Sequence, residues 1–490
     1  MPRALRWLAA GGLLSAALAL APPATAQPLA LSPCQLPHPL GLTVVAAECG
    51  VLEVPENPAA PGGRHIGLHL ARVPAINRRR PEDALFVLAG GPGQGAADFF
   101  VSVSGSFERI HRDRDIILLD QRGTGGSQAL TCPESEAQLY QASEAEVTAL
   151  ASACLAQLRA GADVAYYTTS VAVTDLERAR AALNYPRIDL YGISYGTRVA
   201  QHYLRRYPAR VRALILDGVV PPTLALGPDV APAAEAALRR ILARCAAQAA
   251  CRQRFGAPLE DYQAVSHALR AQAVEVSVAD PTSAAARRVR LDRDHLATVL
   301  RLGAYSADYA ALLPLFLGAA AHGDYAPLAA QSLYLEHSVE GIALGMHNSV
   351  VCSEDVPFWK PQDIDRAALD ATFMGSGEID ALQALCRSWP RGPVDADFHE
   401  ALQSAVPALL LSGGDDPVTP PAYAHLAAVG FSAGRELTLP GFGHGVLGAP
   451  CMGRLLAQFL ARPEAAALDV SCLAAAAPLP FFTSVNGPSP

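Results

Sequence analysis

The chain has 490 residues, of which 51% are hydrophobic and 17% are charged, and its formal net charge is −8. This composition supplies a large buried core and excludes an intrinsically disordered chain. The negative charge argues against nucleic acid as a partner, because nucleic-acid binding requires a basic surface.

The N-terminus has the composition of an export signal. Arg3 and Arg6 precede an apolar run over residues 13 to 21, and Ala24-Thr25-Ala26 follows it. A basic start, a short apolar stretch and an A-x-A site predict a cleavable signal peptide over residues 1–26, with cleavage after Ala26. No later segment of the sequence approaches the length of a membrane span. We therefore expect a secreted or periplasmic protein.

The next 200 residues have the pattern of an α/β domain. Proline and glycine punctuate residues 27 to 83, where strand-like pieces at 50–54 and 66–73 predict antiparallel strands at a sheet edge. Apolar strands at 85–88, 116–119, 188–191 and 213–216 then alternate with helical segments. Such alternation predicts a doubly wound, mainly parallel sheet. We assign residues 27–222 to the first part of this core.

A candidate nucleophile follows the strand at 188–191. Ser194 lies in the pattern G-x-S-x-G, and a segment with helical periodicity comes after it. A sharp turn between strand and helix lifts a serine hydroxyl clear of the backbone. Ser432 lies in a second match to the pattern, but a helix-like segment precedes it and a strand-like one follows. We therefore take Ser194 as the nucleophile and Ser432 as a chance match.

The glycine-rich segment 90–95 follows the strand at 85–88. It lacks the Lys-Ser/Thr of a phosphate-binding loop, and it lacks G-x-G-x-x-G with a suitably placed acidic residue. A loop at this point can instead supply a backbone N–H to an oxyanion hole, with a second N–H from the residue after the nucleophile. We expect the N–H groups of Gly91 and Tyr195 to form it.

Between residues 223 and 406 the pattern becomes mainly helical. Helices are predicted over 233–255, 294–317 and 329–345, and a small hairpin pairs 274–278 with 288–291. We interpret this insertion as a cap that excludes water from the site and limits substrate length. The alternative is a peripheral domain without contact to the site.

The α/β pattern resumes over residues 407–490. A strand at 408–412 is followed by Asp415-Asp416, and a strand at 436–439 is followed by a glycine-rich loop with His444. A serine hydroxyl needs a base to remove its proton, and the base needs a carboxylate to orient it. We expect Asp416 and His444 to fill these roles. Asp415 and Asp217, which follows the strand at 213–216, are the alternative acids.

Ten cysteines follow the signal segment, and no C-x-x-C or H-E-x-x-H motif accompanies them, which argues against a metal site. An exported protein meets an oxidising environment, so disulfides are expected. Sequence does not determine which cysteines pair. The simplest scheme joins neighbours: Cys34 to Cys49, Cys132 to Cys154, Cys245 to Cys251, Cys352 to Cys386, and Cys451 to Cys472.

Five motifs together carry a family resemblance: GGPGQG at 90–95, DQRGTGGS at 120–127, YGISYGTR at 191–198, DDPVTPP at 415–421 and GHG at 443–445. Over roughly residues 45 to 475 the chain resembles serine exopeptidases related to proline iminopeptidase, most of all the secreted bacterial tripeptidyl-aminopeptidase-like hydrolases. The resemblance implies an α/β-hydrolase fold, a Ser-His-Asp triad, no cofactor and no metal, and a peptide substrate with a free N-terminus.

The segment 348–355, NSVVCSED, is similar to the stretch that precedes the C-terminal part of those enzymes. An aminopeptidase must recognise the positive charge of a chain terminus, and a carboxylate in a partly dry pocket can pair with it. We expect Glu354, with Asp355, to bind the substrate ammonium from a cap loop. The alternative is an acidic surface loop before Pro357.

Three classes of function are compatible with these residues. The first is an exopeptidase that releases one, two or three residues from peptide N-termini. The second is an esterase or amidase for a small non-peptide substrate, because the same triad would serve it. The third is a binding protein that has lost activity, which the intact set of Ser194, Asp416 and His444 argues against.

Overall fold

A computed structural model of the chain describes residues 29–488 except 78, 79, 81, 135–137, 139–141, 339 and 340. The predicted signal peptide at residues 1–26 lies outside the described residues. Among the helices of the described part, none combines the length and the apolar character needed to cross a bilayer.

A nine-stranded sheet forms the centre of the fold, in the order β1-β2-β3-β5-β4-β6-β7-β10-β11. β1, β2, β3 and β5 pair antiparallel, and the pairs from β5 to β11 are parallel. The predicted fold class, α/β with a mainly parallel sheet, is confirmed. The strands are β1 (Ser32–Pro37), β2 (Val44–Pro55), β3 (His65–Val73), β4 (Asp83–Leu88), β5 (Ile116–Leu119), β6 (Arg187–Ile193), β7 (Val211–Asp217), β10 (Ala408–Gly413) and β11 (Gly434–Leu439).

The described α-helices are numbered here in chain order. They are α1 (Ala96–Val103), α2 (Glu108–His111), α3 (Glu144–Leu158), α4 (Thr169–Ala182), α5 (Tyr195–Arg206), α6 (Val230–Ala247), α7 (Ala249–Phe255), α8 (Pro258–Ala271), α9 (Arg293–Tyr305), α10 (Ala307–Ala310), α11 (Leu313–Ala321), α12 (Ala326–Ser338), α13 (Leu344–Glu354), α14 (Arg366–Asp370), α15 (Gly377–Cys386), α16 (Pro421–Ala428) and α17 (Met452–Ala461). The predicted hairpin is present as β8 (Val274–Ala279) and β9 (Ala286–Leu291), paired antiparallel.

Helices cover both faces of the sheet, because its strands are apolar on both sides. One face packs against α3, α4 and α5, and the other against α1 and α17. Residues 234–335 form a separate apolar core, which also receives Phe373 and Phe481. Helices α13 and α15 belong instead to the core of the sheet. The insertion predicted over 223–406 therefore packs partly on itself and partly on the α/β core.

Two of the helices predicted in the insertion are each interrupted. The segment 233–255 is α6 and α7, separated at Gln248, whose ψ of 130° is extended. The segment 294–317 ends its first helix at Tyr305, because Ser306 is extended (φ −116°, ψ 137°). The helix predicted over 329–345 is present as α12 over Ala326–Ser338, and α13 begins at Leu344.

All ten cysteines are paired, and the five disulfides follow the neighbour-to-neighbour scheme. The disulfide with the smallest separation in sequence, Cys245–Cys251, spans the interruption between α6 and α7. Cys132, Glu134 and Cys154 lie close enough together to suggest metal ligands. The two sulfurs are bonded to each other, however, so no thiolate is available there.

Candidate active site

Ser194 occupies the turn between β6 and α5 in a strained conformation. Its φ of +54° and ψ of −125° lie in a region that residues with a side chain rarely adopt. A Cβ on Gly192 would lie 2.3 Å from the Gly196 carbonyl oxygen, and one on Gly196 would lie 2.4 Å from that of Leu88. Both glycines are therefore required for the turn to close.

Ser432 is in a different setting. It is exposed in the turn between α16 and β11, and its hydroxyl donates to the carbonyl of Ser404 over 3.4 Å. Helix precedes this serine and strand follows it, as the sequence indicated. The turn does not present its hydroxyl at the carboxyl edge of the sheet.

His444 and Asp416 are hydrogen-bonded to each other. The imidazole Nδ1 lies 2.9 Å and 3.1 Å from the two carboxylate oxygens of Asp416. The side chain of Asp416 is fully buried, and that of His444 is 8% exposed. A buried carboxylate on Nδ1 fixes the tautomer that leaves Nε2 free to act as a base.

The Asp416 carboxylate is held by its own loop. It accepts hydrogen bonds from the backbone N–H groups of Val418 and Thr419, each at 2.8 Å, and from the Thr419 hydroxyl at 2.8 Å. The same hydroxyl lies 3.1 Å from His444 Nδ1. Thr419 was not among the predicted site residues. An aspartate whose carboxylate accepts from the backbone N–H groups two and three residues later is nevertheless a known turn motif.

The insertion contributes to the position of His444. The backbone N–H of His444 donates to the carbonyl of Tyr305 at 2.7 Å, and the two rings lie 4.9 Å apart. That carbonyl is available because α9 ends at Tyr305 and the last carbonyls of a helix lack partners within it. No local signal in the sequence identifies Tyr305, since its partner is 139 positions away in the chain.

Ser194 and His444 both lie next to the end of β7. The Ser194 N–H donates to the carbonyl of Asp217 at 2.9 Å. At the next residue, Gly218, an added Cβ would lie 3.1 Å from His444 Cε1. The serine and the imidazole therefore both lie next to residues 217 and 218, at the end of β7.

The two alternative acids have other partners. Asp217 is buried and accepts from the Tyr191 hydroxyl at 2.9 Å and from the Val446 N–H at 2.9 and 3.1 Å. Burial raises the pKa of Asp217 to about 6. Asp415 faces α6, where Arg240 and Arg244 lie 3.4 and 3.2 Å from its oxygens.

The glycine-rich segment lies beside the nucleophile. A Cβ on Gly90 would be 3.2 Å from Ser194 Cβ and 3.7 Å from Oγ. Gly91 has a φ of +106°, and a Cβ there would meet the N of Gly93 at 2.6 Å. Tyr195 is the first residue of α5, so its N–H belongs to the unpaired end of that helix. Gly90, which precedes Gly91, therefore lies beside Ser194, and Tyr195 is the next residue in the chain.

The expectation that Glu354 lies in a cap loop is wrong. Glu354 is the last residue of α13 rather than part of a loop, and it is fully buried. Its carboxylate accepts from the N–H and hydroxyl of Thr169 at 2.6 and 2.8 Å. Asp355, also buried, pairs with Arg198 through two contacts at 2.8 and 3.0 Å and accepts from the Leu226 N–H. These protein donors already occupy the carboxylates that were expected to bind an ammonium group.

The chain is similar to several known proteins in sequence or in structure. Serine protease Hip1 of Mycobacterium tuberculosis is 27% identical over 482 residues, which cover 90% of each chain. The tripeptidyl aminopeptidase of Streptomyces coelicolor is 29% identical over 194 residues, 36% of each chain. A solved structure of proline iminopeptidase from Mycobacterium smegmatis, 16% identical, covers 85% of this chain and 99% of its own, with a TM-score of 0.38.

The family whose members have the alpha/beta hydrolase fold matches residues 83–448, a range that includes the Ser194 turn, the insertion, and the loops of Asp416 and His444. Because this match extends over most of the sequence, the chain belongs to the α/β hydrolase family.

Proposed function

We propose that this protein is a serine peptidase that releases short units from the free N-terminus of peptides through an acyl-enzyme. The observation that carries the proposal is the hydrogen-bonded pair of His444 and Asp416, held beside a serine in a strained strand-to-helix turn. The relationship to serine protease Hip1 over 90% of both chains supports peptides as the substrate class.

In the proposed reaction, Ser194 Oγ attacks the carbonyl carbon of the substrate while His444 Nε2 takes the hydroxyl proton. The Asp416 carboxylate stabilises the imidazolium that forms. The N–H groups of Gly91 and Tyr195 donate to the developing oxyanion. The imidazolium then protonates the leaving amine, which leaves the acyl group on Ser194 Oγ. Water attacks this ester while His444 Nε2 takes its proton, and the imidazolium returns the proton to Ser194 Oγ as the ester bond breaks and the acid is released.

Cleavage at the N-terminus is the finer part of the proposal. It is supported by the relationship to tripeptidyl aminopeptidase over 36% of each chain. It is also supported by the contact of Tyr305, at the end of α9, with His444, because insertion residues so close to the base limit the space for a long acyl-side peptide. An esterase is the second candidate, since carboxylesterase B of Mycobacterium tuberculosis is 30% identical over 195 residues.

We also propose that the protein acts outside the cytoplasm. Five disulfides form in this chain, and disulfides persist mainly in oxidising compartments. The sequence pattern of residues 1–26 supports export by a cleavable signal.

The first prediction concerns the substrate. Chromogenic aminoacyl, dipeptidyl and tripeptidyl amides with a free N-terminus should be hydrolysed, and their N-acetylated forms should lose at least about 100-fold in kcat/KM, because a site selective for a free N-terminus discriminates against an end that is longer and has lost its positive charge. Ser194→Ala supplies the blank, with kcat lower by about 10⁴-fold or more. Equal rates on free and acetylated peptides would contradict the N-terminal preference, and turnover of simple esters alone would favour the esterase.

The second prediction separates the adjacent carboxylates. Asp416→Asn should lower kcat by about 10⁴-fold, because the amide no longer fixes the required tautomer of His444. Asp415→Asn is the matched control and should lower kcat by less than about 10-fold, since Asp415 pairs with arginines of α6 and not with the imidazole. The opposite ranking would move the catalytic role to Asp415.

The third prediction concerns pH. Burial lowers the pKa of His444, the Asp416 carboxylate raises it with a further contribution from Asp217, and the net direction is upward from 6.5. The base must be neutral, so kcat/KM for a fast substrate should rise with pH through a midpoint above 6.5.

In Asp416→Asn the raising effect of the carboxylate is lost, while burial and Arg301 still lower the pKa of His444, so the midpoint of the residual activity should move to lower pH. The profile is measured with an aryl ester across the acid limb. A midpoint below 6.5 in the wild type, or one unmoved by the substitution, would contradict the role of the His444–Asp416 pair.

A further inference from the structure

Four side chains form a hydrogen-bonded line directly behind the candidate nucleophile. Gln121 Nε2 donates to the Tyr195 hydroxyl at 3.0 Å. That hydroxyl lies 2.6 Å from Thr169 Oγ1, which in turn donates to Glu354 at 2.8 Å. The four residues come from four separate segments: the loop after β5, and helices α5, α4 and α13.

The chemistry of the two ends sets the direction of this line. An amide nitrogen only donates, and an ionised carboxylate only accepts. The Tyr195 hydroxyl therefore accepts from Gln121 and gives its own proton to Thr169, whose hydroxyl gives its proton to Glu354. Every hydroxyl in the line has both a donor and an acceptor, so the Tyr195 ring has one preferred position.

Three of the four side chains in this line are buried. Thr169 and Glu354 are fully buried, and Tyr195 is 3% exposed. Charge-assisted hydrogen bonds are stronger than neutral ones, and they gain further strength in a dry interior. The Thr169 N–H is the second donor to Glu354, at the first turn of α4, where the helix end favours a negative charge. Glu354 is thus anchored to α4 independently of the hydroxyl.

Tyr195 connects this line to the reaction. It directly follows Ser194, and its N–H is one of the two proposed oxyanion donors. A phenol held at its hydroxyl restrains its own Cα, because only two side-chain torsions separate the ring from the backbone. We propose that Glu354, acting through Thr169, is a positioning residue that fixes Tyr195 and so aims its N–H at the oxyanion. The inference rests on the proposed function, and it assigns Glu354 a place behind the nucleophile instead of a contact with substrate.

The charged groups around Glu354 come from three sides. Arg198 of α5 approaches to 3.9 Å, Asp355 is the next residue and binds Arg198, and His399 bonds to the Glu354 carbonyl at 2.7 Å. Burial raises the pKa of Glu354 to about 7, against the lowering by Arg198. A protonated Glu354 could donate to Thr169 and would then remove the fixed direction of the line.

The test compares Thr169→Val, in which valine has the shape of threonine, with Thr169→Ser. Valine removes the hydroxyl, and serine keeps it. We expect Thr169→Val to lower kcat for an aryl ester about 10- to 100-fold with KM changed less than about 3-fold, because small displacements of catalytic groups act on the transition state. Binding of an aryl boronic acid, which forms a tetrahedral adduct with the serine, should weaken by a similar factor. Thr169→Ser should retain both to within about 3-fold.

Tyr203→Phe is the matched control for the loss of a buried hydrogen bond. Tyr203 lies on α5, the helix of Tyr195. Its buried hydroxyl donates to Glu177 at 2.7 Å and takes no part in the line. It should lower the melting temperature about as much as Thr169→Val while kcat and boronate affinity stay at the wild-type values. Glu354→Gln gives a second measurement: its amide would face Thr169 as a donor, so kcat should fall as in Thr169→Val.

Wild-type kcat and boronate affinity in both Thr169→Val and Glu354→Gln would overturn the inference and leave the proposed function intact, because ester turnover does not depend on peptide specificity. A wild-type protein without Ser194-dependent turnover would contradict the proposed function, and the inference with it. If Thr169→Val fails to fold, Tyr195→Phe breaks the line at the next hydroxyl and is judged by the same two measurements.

Discussion

The parallel pairing of β6, β7, β10 and β11 determines where the chemistry of this molecule can occur. These four strands are consecutive neighbours in the sheet, although an insertion of almost two hundred residues separates β7 from β10 in the chain. Neighbouring strands lie about 4.8 Å apart, so residues at their carboxyl ends come within reach of one another. Ser194 follows β6, Gly218 follows β7, Asp416 follows β10 and His444 follows β11.

Three buried or nearly buried aspartates at this edge illustrate how partners decide roles. Asp416 bonds to the imidazole, Asp217 to a tyrosine hydroxyl and a backbone N–H, and Asp415 to two arginines. Each arrangement satisfies a charge that would otherwise be costly to bury. Only the first involves an imidazole, so the three aspartates differ in their partners and not in residue type.

Much of the α/β core could be predicted from the sequence because its signals are local. Strands such as β5 are uninterrupted apolar runs, and the turn around Ser194 is specified by two glycines. The predicted insertion helices were less accurate, because their ends depend on distant contacts. The end of α9 at Tyr305, for example, meets His444 through a hydrogen bond that no nearby residue encodes.

Glu354 shows the same limit at the candidate site. Two acidic residues before Pro357 indicate a cap loop, yet α13 extends to Glu354, and the partners of Glu354, Thr169 and Arg198, lie more than 150 positions earlier in the sequence. The acidic side chain of Glu354 could be identified from the sequence, but its buried surroundings could not be predicted. Thr419 differs, since its contact with Asp416 is local and the turn motif was present to be read.

The central claim is that Ser194, activated by His444, forms the covalent intermediate. Mass-spectrometric mapping of the residue labelled by a fluorophosphonate tests it most directly, because such probes react with activated serines. We expect a single adduct on Ser194 that disappears when the protein is unfolded before labelling. Labelling of Ser432, or an active preparation without an adduct on Ser194, would contradict it.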